Sequence, residues 1–535
     1  LVRGYGPLLA AALLFLLMAV FVPTVDREVV TAAGTAAGAG GEGGADVLGN
    51  NATAADGTAA AAGGGAAGGG GTAAGKGALP PGVKSGCPDR QKQVKDPYSP
   101  PCVTFSGNNG GATTRGVTGD KIVVAARVLN EPGFQQALAD VAGAQISDTP
   151  EDVKRTILGM AEYFNKNFQF YGRKIDIRFY DGKGSSTTEL LGGGQEEAEA
   201  DATSVAEEIK AFADMTGATV PYHDALTRRK VMAFGAPYTS REWMTARRPY
   251  SWSIATDCSI VTESVAEFAV KRLAKRKAEF AGPALQGQTR KFAQLSPENP
   301  WYQECADAGA KIATDAGSPP SERIKYKLDL GSMSNQATNV IAKLKSAGIT
   351  SVICGCDPVF PIFLTQKAQE QGYSPEWIVT GTALTDQDIV GQLYEEEQWK
   401  HAFGISYLGS PQPIRGSDGY FAYKSVRSDE PAFIGDIIYY QLYMIALGIQ
   451  LAGPNLTPQS FEAGMFSYPG GAGRVGTWGF GPKQYTPTQD FREIWWNGAA
   501  TSTQNGKQGA YIEVDGGKRW KPGTLPNSDP KVFGK

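Results

Sequence analysis

The stretch TSVICGCDPVFPIFLTQKAQEQGYSPEWIVTG, residues 350–381, decides how the chain folds. Two apolar runs of strand length, TSVICG and EWIVTG, flank a segment of helical periodicity from Pro361 to Gln371. That pattern reads as strand, helix, strand, with the two strands parallel and the helix on a sheet face. The same alternation extends upstream to Lys121. KIVVAARV (121–128), KIDIRFYD (174–181), VMAFGAP (231–237), PYSWSIATD (249–257), KFAQL (291–295) and IKYKLDL (324–330) read as strands. Helices are predicted over Glu151–Phe168, around Ala198–Ala213, over Val261–Lys275, around Trp301–Ala313 and over Asn335–Ala347. About nine such strands are too many for one small sheet. The expected fold class is therefore α/β with two lobes, each a parallel sheet with helices on both faces.

The chain has 535 residues, a formal net charge of -3 and 41% hydrophobic residues. This length implies more than one folded unit with tails. The near-neutral balance excludes nucleic acid as the main partner, because phosphate binding needs a basic excess. The two histidines, His223 and His401, sit in no ligand-spacing motif, so no metal site is expected. No cofactor is expected either. GGTAAGKG approaches a phosphate-binding loop, but Gly77 stands where Ser or Thr is required and no strand or helix flanks it. GAGRVG (471–476) matches a dinucleotide fingerprint by letter only, with no helix pattern behind it.

At the N-terminus Arg3 precedes an apolar run, Leu8–Val22, closed by Asp26, Arg27 and Glu28. A positive flank before an apolar run is an export signal. Residues 1–30 are expected to be a membrane anchor, with a cleaved signal segment as the alternative, and the bulk of the chain lies outside the cytoplasm. Residues 31–85 are almost entirely Ala, Gly and Thr and cannot bury a core. They read as a flexible tether of roughly 40 Å reach. In 86–114, Cys87 and Cys102 bracket a Pro-rich polar stretch, and an extracytoplasmic disulfide between them is expected. Closing a loop of that length is worth roughly 3 kcal/mol in the chain-entropy model.

Ligands of open α/β sheets sit outside the carboxyl ends of the strands. Those ends read VLNEPGF (128–134), FGAPYTSREW (234–243), QLSPENPWYQ (294–303), CGCDPVFPIF (354–363) and TGTALTDQD (380–388). Many of their Ser and Thr residues are ordinary helix N-caps. Phe134, Tyr238, Trp301 and Tyr302 fall on the same edge, and aromatics with a few polar groups make a small-molecule site.

In order and spacing the chain resembles the type I periplasmic binding proteins, in particular the Leu/Ile/Val-binding branch of ABC-transporter solute receptors. The segments that carry the likeness are GVTGDKIVVAARV, PYTSREWMTARRPYSWSIATD, ICGCDPVFPIFLTQKAQEQGYSPEWIVTGTAL and DEPAFIGDIIYYQLYMIALGIQLAG, within residues 115–515. The resemblance implies two lobes joined by three crossovers: 115–256 with 411–468 as lobe one, 257–410 with 469–515 as lobe two and hinge, and 516–535 as a tail. It also implies ligand contacts at Thr219, Tyr238, Thr239 and Ser240 of lobe one and at Trp301 and Tyr302 of lobe two. Cys356 stands where relatives place a cleft-facing tyrosine, beside Asp357. The acidic residue that pairs an amino-acid ammonium in relatives falls at Ala383. Asp386 or Asp357 would have to substitute for it, or the ligand need not be an amino acid. A disulfide from Cys354 or Cys356 to Cys258 or Cys305 stays open; a metal knuckle and a redox pair are disfavoured by the single intervening residue. The implied function is delivery of a small polar molecule, an amino acid or similar, to an ABC permease. The alternatives are a ligand-sensing ectodomain and, further off, a hydrolase.

Overall fold

The computed structural model describes residues 79–129 and 148–534. The expected anchor, most of the tether and Phe134 lie outside the described residues. Among the described residues no helix is long and apolar enough to cross a membrane.

The first described segment is a short antiparallel pair, β1 (Val83–Ser85) with β2 (Val103–Phe105), joined by a Cys87–Cys102 disulfide. This arm is built into the core. Tyr98 is 1% exposed and lies 4.6 Å from the ring of Trp478. Its hydroxyl donates to the Gly476 carbonyl at 2.8 Å and accepts from the Val475 N–H at 3.0 Å. A polar loop holds this position because its one large aromatic is completely buried with its hydroxyl satisfied.

Lobe one contains β3 (Lys121–Val128), β4 (Lys174–Asp181), β5 (Ala213–Asp214), β6 (Met232–Gly235) and β7 (Ser251–Ser253), all parallel, in the order β4-β3-β5-β6-β7. The helix Pro150–Asn167 starts at a Thr149–Asp152 capping box followed by proline, the combination that satisfies the first free N–H groups. The helix Gly435–Ala452 is buried along almost its whole length in the same core. The helix expected over Ala198–Ala213 stops earlier. It runs Gln195–Thr203, passes through a π-turn at Ser204–Glu208 and gives way to β5.

Lobe two contains β8 (Phe292–Pro297), β9 (Glu322–Tyr326), β10 (Ser351–Cys354), β11 (Glu376–Val379) and β12 (Ala402–Ser406), all parallel. Past the hairpin β13 (Gly471–Gly473) and β14 (Gly476–Trp478), three antiparallel strands complete the sheet: β15 (Phe491–Thr501), β16 (Gln508–Glu513) and β17 (Arg519–Trp520). The order is β16-β15-β12-β11-β10-β8-β9, with β17 on β15. Arg290 and Glu376 form a two-pronged ion pair at 2.8 and 2.9 Å that is sealed from solvent. The helix Pro300–Asp315 is tied to the helix Cys258–Phe268 by a Cys258–Cys305 disulfide.

Two boundaries move relative to the sequence reading. Trp478, Phe480 and Tyr485 belong to the lobe-one core, so the β13–β14 hairpin is part of lobe one rather than of lobe two. Residues 516–534 are no tail. Leu525 and Val532 are buried on lobe two because its sheet face needs their apolar cover.

The chain passes between the two sheets three times, after β7, after β12 and before β15. These joining segments are tied to one another. Thr486 donates to Asp257 at 3.1 Å. Arg519 donates to the carbonyls of Leu408 (3.0 Å) and Tyr407 (3.2 Å) and to the Asp490 carboxylate (2.7 Å).

Candidate functional site in the interlobe cleft

The chain leaves β6 through Pro237, Tyr238 and Thr239. It enters the helix Arg241–Ala246 at Ser240, whose hydroxyl accepts from the Trp243 N–H at 3.0 Å. Opposite, β8 ends at Pro297, and after Glu298 and the N-cap Asn299, Pro300 opens the helix that carries Trp301, Tyr302 and Glu304 on its first turns. Both loops therefore sit at carboxyl ends of parallel strands and face each other.

They meet. The rings of Tyr238 and Tyr302 are 5.0 Å apart and tilted by 31°. Ser240 Oγ donates to Glu304 Oε1 at 2.6 Å. Asn299 Nδ2 donates to the Leu191 carbonyl of lobe one at 3.4 Å. Gly192 has φ +91, and a Cβ there would lie 2.7 Å from Asn299 Nδ2 and 3.1 Å from Trp301 Cη2. The cleft is thus closed, held by an aromatic pair, a hydroxyl–carboxylate bond and a glycine-permitted close approach. Burial pushes the Tyr238 phenol up to about 12, against a hydrogen bond to Thr382, so it is neutral.

Tyr238, Ser240, Trp301 and Tyr302 are brought to this boundary, with Thr239 beside them, fully buried and its hydroxyl without a hydrogen-bond partner. Thr219 is buried in lobe one and donates to Glu189. Cys356 does not face the cleft. It is fully buried in the lobe-two core and bonded to Cys354, while Cys258 pairs with Cys305, so the cross-pairings left open by the sequence do not occur. Asp357 is taken by local structure. Its Oδ1 accepts from the N–H groups of Val359 (2.8 Å) and Phe360 (3.1 Å), opening the helix Phe360–Glu370, and its Oδ2 accepts from the Tyr326 hydroxyl at 2.5 Å. Asp386 is buried and accepts from Ser406 at 2.6 Å, with its other oxygen unpartnered. Burial raises both carboxyls above the ordinary range.

One functional element escaped the sequence. Arg127, at the end of β3, is buried and grips Glu189 with two nitrogens (2.8 and 2.9 Å), reaches Asp201 at 3.2 Å and lies 3.7 Å over the Tyr222 ring. Glu189 belongs to the short helix Ser186–Leu190 that leads into Gly192. The arginine thus anchors the loop that touches Trp301. Its partners are 62 and 74 residues away, so no local spacing announces them.

The sequence profile of the family described as "Periplasmic binding protein" matches residues 137–500. The chain belongs to the periplasmic binding proteins, the two-lobed class of solute binders. Among solved structures it is similar to a solute-binding protein of an ABC transporter from Rhodopseudomonas palustris HaA2 in complex with p-hydroxybenzoic acid: TM-score 0.54, 13% identity, 75% of this chain and 98% of that one. It is likewise similar to a leucine-, isoleucine-, valine-, threonine- and alanine-binding protein from Brucella ovis in a closed conformation: TM-score 0.54, 13% identity, 77% of this chain and 97% of that one. An ABC transporter substrate-binding protein from Sphaerobacter thermophilus gives a TM-score of 0.53 at 14% identity, over 76% of this chain and 100% of that one. At these identities the likeness is one of fold. No curated protein matches the sequence.

Proposed function

We propose that the chain is the extracytoplasmic receptor of an ABC transporter, tethered through its N-terminal segment, that captures a small amphipathic molecule between its lobes and presents it to the permease. The observation that supports this most directly is the meeting of Tyr238 and Ser240 with Tyr302 and Glu304 across the cleft. A ligand shifts such a protein toward closure only through contacts made to both lobes at once, and these groups are placed to make them. The aromatic pair offers apolar faces, and the Tyr238, Thr239, Ser240 and Thr382 hydroxyls offer neutral hydrogen bonds. Both Asp357 oxygens carry protein hydrogen bonds, while Asp386 keeps one oxygen without a partner and Glu304 brings a carboxylate to the lobe contact. The preferred ligand is therefore a small polar molecule, an amino acid or similar, whose donor groups meet these carboxylates.

The test is mass spectrometry of the molecule released on denaturing natively purified protein, followed by titration of that molecule into wild type, Tyr302→Ala and Ser240→Ala. The reading requires recovery of one small solute, weaker binding in both variants and no turnover of the solute. Recovery of a solute that binds both variants as tightly as wild type refutes this placement of the site.

A further inference from the structure

Behind the aromatic pair lobe two holds a cavity of about 60 Å³. Tyr238, Tyr302 and Thr382 stand at its cleft end. Val261, Val265 and Ala269 line it from the helix Cys258–Phe268 and its π-turn continuation Ala269–Leu273, and Ala306, Gly309 and Ala310 from the helix Pro300–Asp315. Phe292 and Leu295 of β8 line it as well, with the polar side chains of Thr262, Gln294, Ser296 and Ser318 among its walls. The gap exists because the residues at 306, 309 and 310, which share one helical face, are too small to fill it. Val265, Ala306 and Ala310 keep 6–7% exposure, as side chains beside a gap rather than a packed neighbour do. The Cys258–Cys305 disulfide ties the two walls near the cleft.

A largely apolar cavity of this kind favours an apolar guest. At ~10–15 Å³ for each water-sized group, the volume accepts a row of about four to six such groups. The cleft end is polar, with the Tyr238 and Thr382 hydroxyls there. Beside it in sequence, Thr239 Oγ1 and Gln303 Oε1 are buried without a hydrogen-bond partner. We propose that this cavity receives the aliphatic tail of the ligand, a straight chain of about four to six carbons, while its polar head lies between the lobes. The inference rests on the solute-receptor reading and narrows it to a tailed amphiphile.

The experiment uses the full chain and the 1-alkanols from ethanol to octanol, with binding followed by thermal shift and saturation-transfer NMR. Affinity should rise about fourfold per methylene, the equivalent of ~0.8 kcal/mol, and level off near hexanol. Cyclohexanol should bind roughly tenfold more weakly than 1-hexanol, the equivalent of about two methylenes left unburied by the wider ring. Ala310→Leu and Ala306→Leu, made separately, fill the cavity with apolar atoms. Each variant that keeps the wild-type melting temperature should lose the chain-length dependence. A flat alkanol series in wild type, or an undiminished series in a filled and folded variant, overturns the proposal. The two readings fail separately. If a solute recovered from native protein still closes the lobes of the filled variants and the alkanol series is flat, the receptor stands without the tail site. If the alkanol series holds and no solute closes the lobes, the cavity stands without the receptor.

Discussion

Gly192→Ala tests whether the contact between the lobes is a state of the cycle rather than a fixed part of the fold. With φ at +91, any L-residue at 192 is strained in open and closed forms alike, by roughly 1–2 kcal/mol. In the closed form alone, the new methyl also lies 2.7 Å from Asn299 Nδ2 and 3.1 Å from Trp301 Cη2. The asparagine tip can swing away, but the indole is larger and gives way less readily. Overpacking of this kind costs roughly 1–3 kcal/mol, and the lower half applies because one of the two neighbours is flexible. A closed-state penalty of about 1–2 kcal/mol weakens ligand binding by roughly 5–30-fold. Gly194→Ala is the control. It too sits at positive φ, +68, and its methyl would meet only Glu189 and Thr188 of its own lobe. Both variants should lose similar stability in urea titrations, and only Gly192→Ala should lose affinity and lengthen the distance between spin labels placed one in each lobe. Equal loss of affinity in the two variants, or an unchanged label distance for Gly192→Ala, refutes the reasoning.

Removing the aromatic face with Tyr302→Ala should cost on the order of 1–3 kcal/mol of ligand binding by calorimetry, with a smaller effect on the melting temperature of the ligand-free protein. His223 is completely buried; its Nδ1 donates to the Gly217 carbonyl at 2.8 Å and its Nε2 accepts from Ser251 at 3.0 Å, and burial lowers it to about 4. A histidine depressed in the fold gives stability that is complete above its unfolded value near 6.5 and is lost as pH falls toward 4. His223→Gln should therefore flatten the pH dependence of unfolding in that window by up to about 3 kcal/mol, read from urea melts, and an unchanged slope would contradict the burial argument. Tyr98→Ala removes a fully buried ring and two hydrogen bonds, so it should destabilise lobe one by roughly 3–5 kcal/mol in chemical denaturation while leaving the cleft residues intact.

The alternation of apolar runs and helical segments was legible wherever an element had length enough to show a period, as in Lys121–Val128, Pro150–Asn167 and Pro300–Asp315. β5 has two residues, too few for any period, and its approach through a π-turn reads as more helix. β12 was passed over, and β15–β16, rich in tryptophan and tyrosine, had no helix to set it apart. At the cleft, the loop after β6 and the loop after β8 were visible because strand ends in parallel sheets converge on one edge. Cys356 and Asp357 share that edge in sequence but turn inward, one to a disulfide and one to a helix start. Those choices depend on Cys354 and Tyr326, and spacing alone does not reveal them. Arg127 was unreadable for the same reason, since its partners arrive from distant segments.

The grip of Arg519 has a mechanical meaning. Its guanidinium holds one joining strand by the carbonyls of Tyr407 and Leu408 and another by Asp490, while Asp257 and Thr486 pin the third to the second of these. Three cords lashed together in this way are restrained from winding about one another. Bonds of this kind oppose torsion more than bending, as a leaf spring does. The relation between the lobes then reduces mainly to one variable, the angle of that bend. The spring constant is set in part by a residue close to the C-terminus, far from the surfaces it orients.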